Sequence, residues 1–227
     1  MPDHAANSLR EENLGDEIQP KRLADAFEAA TGHRTAFITH GENDSVRTVP
    51  LRIIQLPFGP ALLTQDTNAG RQANVGAIGV HYLSVEDGRF DVIASWPRAV
   101  MGRGWGDPPK WRFTDQFTAY PAIYAWGDFT AQAAVLTSAT ITELRPEGPV
   151  TSDYIYTGHD NEGGQRAEDE PACSVKGRIA NIRKDKSFDV VVTGSRAAID
   201  RYEKGDAFGA VRQIHWDLPC DVPNRGR

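Results

Sequence analysis

The densest run of side chains able to do chemistry lies between residues 96 and 129. Trp96, Trp105, Trp111, Phe113, Phe117, Tyr120, Tyr124, Trp126 and Phe129 fall there and include four of the five tryptophans in the chain. Gly102, Gly104, Gly106, Pro108, Pro109 and Pro121 are interleaved with them, so the centre of the segment cannot be a regular helix or an interior strand. The expectation is a loop that carries large aromatics. Tryptophan and tyrosine offer wide, rigid contact area with a polar handle, which is why they concentrate at interfaces and ligand walls. Trp105 and Trp111 are then the anchors of a binding surface, with Trp96, Tyr120, Tyr124 and Trp126 as its wall and Arg103 and Lys110 as its charged contacts. The competing reading is a lid that folds back and closes a β core.

A second cluster has acid–base character. His40, Glu42 and Asp44 alternate along a stretch that reads as extended, and alternate residues of a strand share a face. Together with His81 they offer imidazole and carboxylate for general acid–base work or for holding a metal. The simpler reading is a polar hairpin turn over 41–44. No established motif completes the site. His40 and Glu42 match the H-x-E half of a zinc deaminase, but Pro171-Ala-Cys173-Ser-Val does not supply the P-C-x-x-C half. An acid loop of the α/β-hydrolase kind needs a G-x-S-x-G elbow, which the chain lacks. The run Val-Val-Val-Thr-Gly-Ser at 190–195 has only Gly194 where a dinucleotide-binding turn needs several glycines. No cofactor is expected.

A nucleic-acid reading rests on Arg89, Arg98, Arg103, Lys110 and Arg112, which flank the tryptophans with only Asp91 and Asp107 against them. Bases stack on aromatics beside a positive groove in this way. The charge of the whole chain opposes it, since 25 lysines and arginines against 31 aspartates and glutamates leave −6, a balance that disfavours nucleic acid and anionic lipid alike.

These residues need a scaffold. With 40% hydrophobic and 25% charged residues in 227, the chain can bury a core and has no run apolar enough to span a membrane. Residues 1–19 form a polar, acidic lead. Pro20 at a tolerated first-turn position, Leu23 and Phe27 four apart, and Gly32 as a stop predict a helix over 20–31. From there β-branched and aromatic runs, cut by Gly, Pro, Asn and Asp, predict strands over 34–40, 46–56, 61–64, 76–86, 89–96, 122–126, 131–144, 153–157, 174–182, 187–193 and 208–216. Tight reversals at Glu86-Asp87-Gly88 and at 183–186 predict two hairpins. Ser195 reads as the cap of a short helix over 195–203.

The fold class is therefore α+β, mainly antiparallel β closing as a barrel or a sandwich, with one N-terminal helix and a short helix near residues 195–203. A main β-rich domain over 20–157 carries the aromatic loop 96–129. An acidic flexible loop or linker follows over 158–171, then a C-terminal β module over 172–227 that either stands alone or joins the same domain. Residues 88–95 resemble 186–193, which shared hairpin grammar explains more simply than a duplication. Cys173 and Cys220 are too few for a disulfide scaffold, and no apolar leader is visible in 1–19, which places the protein in the cytoplasm. The leading function is a soluble, non-enzymatic binding or interaction protein that recognises a protein partner or small ligand through the aromatic loop, with a homo-oligomer left open. The alternatives are a small-molecule hydrolase with a His/carboxylate site and a single-strand nucleic-acid binder.

Overall fold

The structure, a computed structural model, describes residues 20–42, 44–69, 74–131, 134–163 and 172–210. The expected polar lead over 1–19 and the strand end at 211–216 lie outside these residues. Helix α1 (Pro20–Thr31) precedes β1 (Phe37–His40), β2 (Ser45–Leu56), β3 (Gly59–Ala69), β4 (Ala77–Glu86) and β5 (Arg89–Met101). There follow β6 (Lys110–Thr114), β7 (Ala122–Ala131), β8 (Ala134–Arg145), β9 (Gly148–Thr151) and β10 (Ile155–Asp160). The described chain closes with β11 (Ser174–Arg183), β12 (Ser187–Gly194), β13 (Ala198–Lys204) and β14 (Phe208–Ala210).

Every strand pairing among the described residues is antiparallel. Strands β1 to β5 form one sheet in sequence order, curved into a half-barrel. Strands β6 to β14 form the second, again in sequence order, except that β9 and β10 lie one after the other along the same edge of β8. Such a meander needs only short connections. The expected Asp87-Gly88 turn joins β4 to β5 with both residues at positive φ, 49° and 78°, as a two-residue hairpin requires. The reversal at 183–186 joins β11 to β12 through a three-residue loop closed by the Arg183–Ser187 pair, with Asp185 at φ 57°.

Helix α1 buries Ala26 and Phe27 against Leu62, Leu83 and Phe90 on one face of the first sheet. Gly32 ends the helix in the left-handed region at φ 78°, its N–H donating to the Glu28 carbonyl at 2.8 Å. The other face of this sheet packs on the second sheet. Strand β7 is the shared wall, because its alternate residues point both ways. Ile123 and Ala125 join Ile54, Leu63, Ile78 and Val80 of the first sheet. Ala122 and Tyr124 join Phe117, Ile141, Phe188, Val190 and Tyr202 inside the second. Each large apolar side chain buried in this way contributes about 1.5–3 kcal/mol.

Inside the second sheet a buried charge network ties its two ends together. Glu143 on β8 accepts from Lys204 Nζ at 2.9 Å, from Arg145 Nε at 2.8 Å and from the Tyr120 N–H at 3.3 Å. Lys204 also reaches Asp185 at 2.6 Å, and Asp185 accepts from the Ala119 N–H at 3.2 Å. Burial opposes ionisation of Glu143, but the hydrogen bonds from Lys204, Arg145 and Tyr120 outweigh it and hold the carboxyl below its ordinary range.

Four sequence expectations change. The short helix over 195–203 is strand β13. Its residues alternate, with Ile199 exposed, Asp200 and Tyr202 buried and Glu203 exposed, a period of two that pairing with β12 enforces and a helix would break. Ser195 caps no helix; its N–H donates to the Ser174 carbonyl and its Oγ accepts from the Ser174 N–H. The segment 96–129 is not one loop: β6 and β7 form a paired ladder within it, and only 102–109 and 115–121 are connectors. Residues 158–160 of the expected linker belong to β10, which pairs with β11; residues 164–171 lie outside the described ones. Finally, Cys173, 1% exposed, is disulfide-bonded, although no sequence spacing announced it. The other cysteine of the chain, Cys220, lies outside the described residues.

The likeness between 88–95 and 186–193 is local. Phe90 and Phe188 each follow a tight turn and enter a core. Beyond them, Arg98 and Ala99 continue β5, whereas Arg196 and Ala197 lie in the turn before β13.

Candidate functional site

Past β5 the chain makes a tight turn over 102–107 that backbone hydrogen bonds pin to the first sheet and its connections. Gly102 and Gly76 donate to the carbonyls of Gly76 and Asp107, at 2.8 and 3.2 Å. Gly106 donates to Asn74 at 2.8 Å and accepts from the Asn68 N–H at 2.9 Å. The approach is so close that a Cβ on Gly106, which sits at φ 79°, would fall on the Asn68 carbonyl. This accounts for the glycines in the motif. Between Gly104 and Gly106 sits Trp105, at φ 60° and 60% exposed. A bulky residue in the left-handed region stores roughly 1–3 kcal/mol of strain, and such outliers collect at functional positions. Here the strained residue is also an exposed tryptophan on a rigid mount.

Arg103, beside it, reaches across to the second sheet. Its guanidinium lies 3.5 Å from the centroid of the Tyr154 ring and donates to Ser138 Oγ. Gly127 leaves room for the Arg103 stem, its own missing Cβ lying 3.4 Å from Cγ. Burial lowers the pKa of Arg103, opposed by Tyr154 and Tyr156, yet a guanidinium remains a cation throughout the accessible range. Tyr154 is 47% exposed. Tyr154 thus lays an exposed aromatic face on a half-buried cation, two residues along the chain from the exposed Trp105. Sequence reading missed Tyr154 and Ser138, for which no local signal exists: they come from the β9–β10 connection and β8, far along the chain.

The remaining aromatic candidates are packing residues. Trp96, on β5, meets Tyr82 edge to face at 4.8 Å and leans on Gly148, where a Cβ would come within 2.7 Å of its Cζ2. Trp111 packs on the core between the sheets. Tyr124, 7% exposed, stacks on Phe117 at 6.0 Å and lies 5.5 Å from Trp126; burial pushes its phenol up to about 12. Arg112 sits over both rings, 5.2 Å from Tyr124 and 5.6 Å from Trp126. Tyr120 is half-buried near Phe58, at 6.3 Å. Lys110 is exposed at the start of β6, opposite Trp126.

The acid–base cluster does not assemble. His40 pairs with Ser45, which pairs with Ala69; His81 pairs with Leu62. Seven residues of β3 separate those two rows, about 23 Å at the rise of an extended strand. His40, Glu42 and Asp44 are exposed, and Asp44 accepts from the Asn68 amide at 3.3 Å, so the residues do line a polar turn. Among the described residues no group of three or more histidine, cysteine or acidic side chains is placed to hold a metal. His81 is instead buried on β4, between Thr64 and Ser95.

No family model, curated protein or solved structure matches this chain. The site must be read from its own residues. The basic side chains do not form one groove: Arg98 Nη2 donates to the Val75 carbonyl at 3.3 Å, Arg103 is wedged between the sheets, and Arg112 is stacked on Tyr124 and Trp126. No helix among the described residues is long and apolar enough to cross a membrane.

Proposed function

We propose that the chain is a binding protein whose recognition surface is the Trp105 turn with Arg103 and Tyr154. The observation that carries this reading is Trp105 itself: exposed, strained in backbone, and held by four backbone hydrogen bonds that fix its position. A rigid aromatic loses little entropy on binding, which is what makes it an effective anchor. The chemistry fits a protein partner that presents an apolar side chain next to a carboxylate, the first for Trp105 and Tyr154 and the second for Arg103. Trp111, expected to be the second anchor, is packed on the core between the sheets and is left out of this surface.

The disulfide at Cys173 favours an oxidising compartment over the cytoplasm expected from the sequence, because reducing compartments keep such bonds open. The test of function is retention of a partner from the native source by immobilised protein, compared with Trp105→Ala and Tyr154→Ala. Both variants should keep the far-UV spectrum and melting transition of the parent and lose the partner. Retention by both variants would remove the reading, and loss of fold in Trp105→Ala would make the turn structural. Capture that vanishes with moderate salt and returns with single-stranded oligonucleotide would favour nucleic acid instead.

A further inference from the structure

On the face of the first sheet that carries α1, three neighbouring strands place one polar side chain each in a row: Thr64 on β3, His81 on β4 and Ser95 on β5. Ser95 stands directly opposite His81 in the strand register. Its Oγ is hydrogen-bonded to His81 Nδ1, and His81 Nε2 lies 3.1 Å from Thr64 Oγ1. The imidazole is 4% exposed while Ser95 is open to solvent. Gly79 makes the row possible. A Cβ there would collide with Thr64 Oγ1 and come within 3.2 Å of His81 Nε2, so only glycine lets the ring lie across the strand. Next to Ser95 the ladder is irregular, between the pairs of Tyr82 and Leu83, and bulges of this kind re-aim side chains beside active sites.

A neutral imidazole has one donor and one acceptor nitrogen. With the proton on Nε2, Thr64 accepts it and Nδ1 is left to accept from the Ser95 hydroxyl. That is the order of nucleophile, base and orienting group that activates a serine. We propose that Ser95 is a nucleophile and His81 its general base for acyl transfer from a small ester, with Thr64 as the positioning residue. In this step Ser95 Oγ bonds to the acyl carbon while its proton passes to His81 Nδ1. Collapse breaks the carbon–oxygen bond to the leaving alcohol, which takes that proton. Water, deprotonated by the same nitrogen, then adds to the acyl carbon, and the acid leaves as Ser95 regains its proton.

Burial also holds the ring neutral, its pKa pushed down to about 4, so the base form is present throughout the neutral range. A base this weak gives slow chemistry. Val92 and Ile93, exposed at 37% and 65% on the same strand, favour an apolar acyl chain.

The test is incubation of the full chain with an alkyl fluorophosphonate, in which Ser95 Oγ displaces fluoride at phosphorus, read by intact mass and by mapping of the modified peptide. A single adduct on Ser95 is expected, absent in Ser95→Ala and formed about 100-fold more slowly in His81→Gln. The wild-type rate should be level through neutrality and fall only in acid. No adduct, an adduct elsewhere, or a rate that rises in proportion to hydroxide would overturn the proposal, since the last is the behaviour of an ordinary hydroxyl. If His81→Gln does not fold, Thr64 decides: Thr64→Val should slow labelling and move the acid limb of its pH profile, and Thr64→Ser should restore both. Labelling of Thr64→Val at the wild-type rate and with the wild-type profile would overturn it.

Discussion

Acidification from pH 7 to pH 5 should destabilise this protein mainly through one residue, His81. Its imidazole is buried on β4 and burial lowers its pKa from 6.5 to about 4. In the unfolded chain the ring protonates near its ordinary value, while the native ring resists until far lower pH. The unfolded state therefore binds more protons across this window, so stability is complete above 6.5 and is lost as the pH falls towards 4. Each unit is worth 1.36 kcal/mol, giving roughly 3 kcal/mol over the whole window and about 2 kcal/mol at pH 5. Asp66, on the same face, acts with the opposite sign, because burial raises its pKa and acid favours its native form. Glu143, Asp185 and Asp189 are held below their ordinary values of 4.5, 3.8 and 3.8, so they add their losses at lower pH. Urea unfolding of the wild type and of His81→Gln at pH 7.0 and 5.0 isolates the residue. The pH-dependent part of the difference should be about 2 kcal/mol, a large share of a typical domain's stability. Equal pH dependence in the two proteins would refute the reasoning.

Trp105→Gly relieves the left-handed backbone at φ 60° and should raise stability by about 1 kcal/mol in denaturant unfolding while abolishing partner retention; a loss of stability would show that the indole packs more than it strains. Lys204→Met leaves the buried Glu143 carboxylate with Arg145 but without the ammonium at 2.9 Å and should cost roughly 3 kcal/mol at pH 7, with the cost shrinking in acid as the carboxyl takes up a proton. A thermal melt at each pH reads both effects, and a neutral substitution would mean water replaces the ammonium. Titration of the denatured, unreduced protein should find no free thiol at Cys173, and reduction should lower stability by roughly 2–5 kcal/mol. Stoichiometric thiol in that titration would return the protein to a reducing compartment.

Much of the scaffold was legible because its signals are local. Leu23, Phe27 and Gly32 mark the helix, Asp87-Gly88 marks a hairpin, and β-branched runs mark the strands around them. Local signals also misled. Residues 195–203 read as a helix because Ser195 resembles a cap, yet the hydrogen bonds on offer came from β11 and β12, and tertiary pairing overrode the local preference. The aromatic segment contained real loop chemistry at Gly102, Gly104 and Gly106, but Trp111, Tyr124 and Trp126 alternate on strands, and burial on two faces of β7 hid that from a search for one-sided periodicity.

Composition and short-range pattern thus determined a charged, mainly antiparallel β protein with an N-terminal helix, and the glycine-rich turn around Trp105, while the second helix they suggested over 195–203 is a strand. The juxtapositions that bear on function were decided only by tertiary structure. Arg103 finds Tyr154 across two sheets, and Thr64, His81 and Ser95 meet because antiparallel register sets residues 14 and 17 positions apart side by side. Strand register is fixed by which faces are buried over the whole sheet, so no stretch of chain short enough to read alone contains it.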